Sequence, residues 1–85
     1  MILRRSQEFD ALYENLPVTV QKRTDKQLLL LLQNPQHPSL RIHKMEGHPD
    51  IWEMRVTTNI RITLIRKGDT IILRKIGSHH ILKNP

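Results

Sequence analysis

The sequence predicts an α+β fold, an N-terminal helical hairpin packed on a three- to four-stranded antiparallel sheet. Two observations carry this expectation. Apolar residues recur at helical spacing before residue 34 and at alternating spacing after residue 40. Turn-forming residues separate the alternating runs. At 85 residues the chain is expected to form a single domain spanning residues 1–85, because domains rarely divide below about 100 residues.

The elements follow in order. Residues 1–5 can add an edge strand. Ser6 suits a helix N-cap, with Glu8 and Asp10 in the first turn, where acids favour the helix dipole. Phe9, Leu12, Tyr13 and Leu16 then fall on one helical face. Pro17 ends this helix or opens the next. The second helix is expected over Val18 to Gln33, with Val20, Thr24, Gln27, Leu28 and Leu31 forming its stripe. Asn34-Pro35 stops it. Leu40 and Ile42 then alternate with Arg41 and His43, and Glu46 to Asp50 reads as a loop. Trp52, Met54 and Val56 alternate with Ile51, Glu53 and Arg55; Ile60, Ile62 and Leu64 with Arg61, Thr63 and Ile65; and Ile71 and Leu73 with Ile72 and Arg74. Thr57 to Asn59 and Arg66 to Asp69 read as hairpin turns. One sheet face is expected on the helices and the other in water.

Composition excludes several classes. With no cysteine there is no disulfide framework, thiolate metal site or cysteine nucleophile. The longest apolar run, Leu28–Leu32, is far too short for a membrane span, and the N-terminus lacks a signal-peptide pattern. A cytoplasmic location is expected. No glycine-rich phosphate loop or Ser-His-Asp arrangement is evident.

Charge is the informative feature. Fourteen Lys or Arg against eight Asp or Glu give +6, yet residues 1–54 carry seven of each sign and balance. The whole surplus lies in residues 55–85, an asymmetry that fits an anionic partner such as nucleic acid. Register sharpens this. A three-residue turn at Thr57–Asn59 pairs Arg55 with Arg61. A four-residue turn at Arg66–Asp69 pairs Arg61 with Arg74, making a row of three arginines on the polar face. A two-residue Gly68-Asp69 turn would place Ile76 there instead. Like charges across strands destabilise a sheet by up to ~1 kcal/mol a pair. A bound phosphate explains the row better than stability does, since guanidinium donates paired hydrogen bonds and stays charged. Glu53 could instead neutralise it.

Five histidines complete the inventory. Their spacing matches no metal signature, and neither a metal nor a small-molecule cofactor is expected. His79 and His80 follow Gly77 directly after the last strand, bordering the arginines, and suit general acid–base work. Only three aromatic residues are present, and Trp52 falls on the apolar face, so little base-stacking surface is expected.

Taken in order, His37-Pro38-Ser39-Leu40, Lys44-Met45-Glu46-Gly47, Ile51-Trp52-Glu53-Met54-Arg55-Val56, Asn59-Ile60-Arg61-Ile62-Thr63 and Ile76-Gly77-Ser78-His79 resemble the RelE/ParE superfamily of bacterial toxins, in its RelE/YafQ-like branch. The resemblance covers residues 37–82 best. It implies the toxin of a type II toxin–antitoxin system, an mRNA endoribonuclease acting without metal on the ribosome and inhibiting translation. It implies a cognate antitoxin in a hetero-oligomer, with ribosome and mRNA as the other partners and no membrane. Carried over by position, Arg55 matches the arginine of a Trp-x-x-Arg-type motif, Arg61 that of the next strand, and His79 a Gly-x-His ending. His79, Arg55 and Arg61 are the catalytic candidates, with His80 in reserve. Arg41, His43, Lys44, Arg74, Lys75 and Lys83 are the candidate RNA contacts. The chain departs from the family in lacking an aromatic residue near its C-terminus, and only Glu46 and Glu53 stand where an acidic base could. Two other readings remain open: a ParE-like inhibitor of DNA gyrase acting by protein contact, and a non-catalytic basic binding module.

Overall fold

In the computed structural model, which describes residues 1–85, a strand precedes the helices. The order is β1 (Ile2–Arg5), α1 (Gln7–Glu14), α2 (Val18–Gln33), a 3₁₀ turn (Pro38–Leu40), β2 (His43–Lys44), β3 (Trp52–Arg55), β4 (Arg61–Lys67), β5 (Thr70–Gly77) and a 3₁₀ segment (His79–Lys83). The sheet has five strands in the order β1-β5-β4-β3-β2, against the three or four expected. β1 supplies the edge strand and runs parallel to β5, so the sheet is mixed.

Local chemistry explains the helices. Ser6 is extended, and its Oγ accepts the Phe9 N–H at 3.0 Å. The same hydroxyl donates to the Arg74 carbonyl at 2.8 Å, which fixes the start of α1 to β5. Phe9 is fully buried. Pro17 occupies the N-cap of α2, where its missing N–H costs nothing. The α2 stripe buries Thr24, Leu28 and Leu31, and the Thr24 hydroxyl is satisfied by the Val20 carbonyl at 2.8 Å. The helices are tied together by Tyr13 Oη donating to Asp25 Oδ1 at 2.7 Å and Gln21 Nε2 donating to the Tyr13 carbonyl at 2.9 Å.

The core lies between these helices and one sheet face, where Met54, Ile62, Leu64, Ile71, Leu73 and Ile76 are buried. The first hairpin has the expected register: Val56 N–H donates to the Ile60 carbonyl at 2.9 Å, Met54 faces Ile62, and Arg55 faces Arg61. The second does not. Lys67 pairs with Thr70, leaving a two-residue Gly68-Asp69 turn with Gly68 at φ +56°, a conformation glycine reaches without strain. The pairing then slips by one residue. Leu64 faces Leu73 but Thr63 faces Lys75, so Arg74 is the extra residue of a β-bulge. Arg61 therefore faces Gly77, not Arg74, and the row of three arginines is a row of two. The bulge has a packing reason. Leu73 and Ile76 lie three apart, a spacing that a regular strand would split between faces, yet both are fully buried.

Two other expectations change. The alternation over residues 40–43 yields a strand of only His43 and Lys44, because Arg41 takes the left-handed conformation at φ +46° after the 3₁₀ turn. The outer face of the sheet is not wholly open to water. The C-terminal tail crosses it, and the Pro85 main-chain oxygen accepts from Thr63 Oγ1 at 3.2 Å and Arg74 Nε at 3.0 Å. Thr63 is fully buried there. No helix is long and apolar enough to cross a membrane.

Candidate functional site

The outer face of the sheet holds a cavity of about 220 Å³ lined by Arg41, His43, Glu53, Arg55 and Arg61, with no apolar residue among them. Topology assembles it. Arg55 and Arg61 are opposed across β3 and β4, and His43 lies opposite Glu53 across β2 and β3. Arg41 enters from the left-handed bend just before β2. From β3 outward, the period of two sends Trp52 and Met54 to the helices and leaves Glu53 and Arg55 on the cavity side.

Glu53 is the hinge of the site. Its side chain is only 12% exposed, and its two oxygens face different partners: Oε1 meets Arg61 Nε at 3.2 Å and Oε2 meets His43 Nε2 at 3.0 Å. Arg61 is otherwise consumed internally, its Nη1 donating to the Thr57 carbonyl at 2.6 Å and the Ile60 carbonyl at 3.3 Å. With three of its five donors engaged, the guanidinium holds Glu53 and the turn in place and keeps only its Nη2 pair for a ligand. His43 sits between two acceptors, since its Nδ1 also lies 3.1 Å from the Arg41 carbonyl. The carbonyl and the Glu53 carboxylate fix the ring between them, and the imidazole, 61% exposed against 12% for Glu53, is the more open of the pair.

Arg55 is the opposite case. Its Nε is shielded from solvent and has no hydrogen-bond partner. Desolvation first, then the charges of Arg41 and Arg61, push its pKa below the ordinary arginine value, with Glu53 opposing them. A buried guanidinium donor without an acceptor, beside two like charges, is costly unless an anion fills the gap. The Gln27 side chain, donating to the Arg55 carbonyl at 3.2 Å, ties this point of β3 to α2.

Of the residues singled out in the sequence, Arg41, His43, Arg55 and Arg61 converge here. Glu53, read as a neutralising or basic carboxylate, joins them as the link between His43 and Arg61. His79 and His80 do not line the cavity. They are exposed at the start of the last 3₁₀ segment, two and three residues beyond Gly77, which faces Arg61. Arg74 and Lys75 are turned to other partners, the Pro85 oxygen and, for Lys75, the Asn84 carbonyl and Glu8 at 3.7 Å. Lys83 is exposed on the last 3₁₀ segment, and Lys44 lines a separate cleft with Trp52, Arg66 and Lys67. The convergence of Arg41 with Arg55 depended on a left-handed residue that spacing does not announce.

No protein-family model matches the chain, and no curated protein matches it in sequence. Solved structures do match. A chain of the RelB–RelE antitoxin–toxin complex from Methanococcus jannaschii superposes with a TM-score of 0.77 at 20% identity, over 95% of each chain. The chain has the RelE/ParE toxin fold. A YoeB/ParE toxin from Agrobacterium tumefaciens gives 0.74 at 14% identity, over 93% of this chain and 99% of that one. YafQ from Escherichia coli gives 0.72 at 13% identity, over 94% of both. In the RelE/ParE-like fold of this chain, the cavity sits on the sheet face opposite the helical hairpin.

Proposed function

We propose that this protein is the toxin of a type II toxin–antitoxin pair, neutralised by a cognate antitoxin, and that it acts as a metal-independent endoribonuclease on ribosome-bound mRNA. The observation that carries this reading is the unpartnered Arg55 guanidinium beside the coupled Glu53–His43 pair. Arg55 and Arg41 hold the scissile phosphate. Their fixed charge meets the negative charge that builds as the neighbouring 2′-oxygen attacks phosphorus, which is often the largest catalytic term. The 2′-hydroxyl gives up its proton, the O2′–P bond forms and the P–O5′ bond breaks. The leaving 5′-oxygen takes a proton from His43, and the products are a 2′,3′-cyclic phosphate and a 5′-hydroxyl. Glu53 recharges and orients His43, and Arg61 positions Glu53. His79, with His80 behind it, is the candidate base, approaching from the strand end beside Arg61. Lys44 and Lys83 extend the basic surface toward RNA and the ribosome, and Arg74 and Lys75 join it once the tail that holds them is displaced. So small a domain gains from borrowing a large partner's geometry to align its substrate.

The test is induction in bacteria with mapping of mRNA 5′ ends, alongside a gyrase supercoiling assay. Codon-phased cuts that vanish in Arg55→Ala and His43→Ala are expected. Growth arrest with intact mRNA and blocked supercoiling would replace this reading with gyrase inhibition, and unimpaired growth would point to a non-catalytic basic module.

A further inference from the structure

Beyond the cavity, Trp52 and Arg66 form a feature that the cleavage chemistry does not use. The Arg66 guanidinium lies over the Trp52 ring, 5.6 Å from its centroid. The ring is part-buried against the core, and the pair forms a wall shared by two clefts. One cleft, of about 260 Å³, reaches Arg41, the residue that also lines the candidate catalytic cavity. The other, of about 450 Å³, carries Lys44 and Lys67. The three hollows thus form one path around the short β2 edge. Arg41, Lys44, Arg66 and Lys67 all lack a carboxylate partner, and Asp50 is the single acid lining the path beyond the cavity.

We propose that this path is a binding track for single-stranded RNA running from the scissile phosphate over Arg41 to the Trp52–Arg66 pair, where a flanking base stacks and Lys44 and Lys67 take the next phosphates. The proposal rests on the endoribonuclease reading above. An indole capped by a guanidinium offers a flat, cation-bearing surface on which any unstacked base can lie. Cations spaced on both sides of it match a phosphate backbone and not a lone anion. An acidic protein segment would use the lysines and leave the aromatic platform idle. A duplex would not fit, because its bases are already stacked.

Trp52 is the only tryptophan, so its fluorescence reports the track directly. The probes are fully 2′-O-methylated RNA oligonucleotides of four and ten nucleotides, which cannot be cut because the attacking hydroxyl is blocked. The ten-nucleotide probe should quench Trp52 and bind the Arg66→Ala/Lys67→Ala double variant about tenfold more weakly, since each stacked base and each phosphate contact contributes measurably. The four-nucleotide probe, too short to span the cavity, Arg66 and Lys67 together, should lose less affinity than the longer one. Both substituted side chains are exposed at the end of β4, so the variant should keep its melting temperature. Equal affinity of both proteins for the longer probe, with unchanged Trp52 emission, overturns the track and leaves the cleavage reading standing if the Arg55-dependent cuts persist. No binding of either probe by the unmodified protein overturns the track, and loss of the Arg55-dependent cuts in cells is what overturns the cleavage reading. Polyglutamate quenching Trp52 as strongly as RNA would assign the path to an acidic protein segment instead.

Discussion

At the scale of single residues, the site separates side chains that hold structure from one left without a partner. Arg61 gives its donors to Glu53, Thr57 and Ile60, whereas the Arg55 Nε has none to give to. Arg55→Ala should therefore lower RNA cleavage by about 100-fold, the usual cost of one oxyanion-stabilising donor. Its melting temperature should hold or rise, because a desolvated charge beside Arg41 and Arg61 is removed. Arg61→Ala should lower both, and a melting curve beside a cleavage assay separates the two. Arg41 adds a strained backbone at φ +46°. An L-residue there costs about 1 kcal/mol, so Arg41→Gly should fold with near-unchanged stability while losing phosphate affinity, and Arg41→Val should be destabilised by about 1–2 kcal/mol. Denaturant titration of the two variants checks this. Tyr13 gives a pH test. Its hydrogen bond to Asp25, with burial and the Asp25 charge adding and Arg5 opposing, raises its pKa above 10.0. A raised pKa in the folded state stabilises while the phenol is protonated, so the contribution is full below pH ~10 and fades as pH rises through the higher folded value. Tyr13→Phe should cost about 0.5 kcal/mol at neutral pH, a figure discounted for exposure, and the gap should close in strongly alkaline titrations.

At the scale of elements, what the sequence disclosed depended on whether pattern and geometry agreed. Ser6, Pro17 and Asn34 bound the helices because caps and prolines act locally. The β3–β4 register followed from setting Val56 against Ile60 and Met54 against Ile62. The β4–β5 register was missed, although its sign was present: Leu73 and Ile76 cannot share a face without an extra residue between them. The parallel direction of β1 carries no local signal, since it depends on a chain returning across the sheet. The cavity was half legible for a similar reason. Arg55 and Arg61 keep the alternating runs in which they were read, whereas Arg41, read in one run with His43, arrives through a left-handed bend. The bulge yields its own prediction. Deleting Arg74 restores strict alternation, with Leu73 and Ile76 inward and Lys75 and Gly77 outward. The deletion variant should fold and lose about 1–2 kcal/mol, chiefly the hydrogen bonds of Arg74 to Pro85 and to Ser6. A variant that fails to refold after denaturant removal would show that the bulge itself is required.

At the scale of the whole molecule, charge and architecture act together. The +6 surplus falls entirely after residue 54, in β3, β4, β5 and the segment that follows. The tail occupies part of it without acids, by presenting main-chain oxygens to Arg74 and Lys75. Arg74 and Lys75 are thus occupied in the free protein, so the open cations nearest Arg55 lie at the cavity and along the β2 edge. On the proposed RNA track, the salt dependence of affinity then has a set size. Five cations without carboxylate partners border that path: Arg41, Lys44, Arg55, Arg66 and Lys67. For single strands, the slope of log affinity against log salt is about −0.7 per neutralised phosphate, so ~5 contacts give about −3.5. Arg66→Ala/Lys67→Ala should flatten it to about −2, because two counterions fewer are released. Truncating residues 84–85 frees Arg74 and Lys75 and should steepen it by about 1.4 if both then reach phosphate. A truncated protein with an unaltered slope would mean that these two side chains stay turned away from RNA even without the tail.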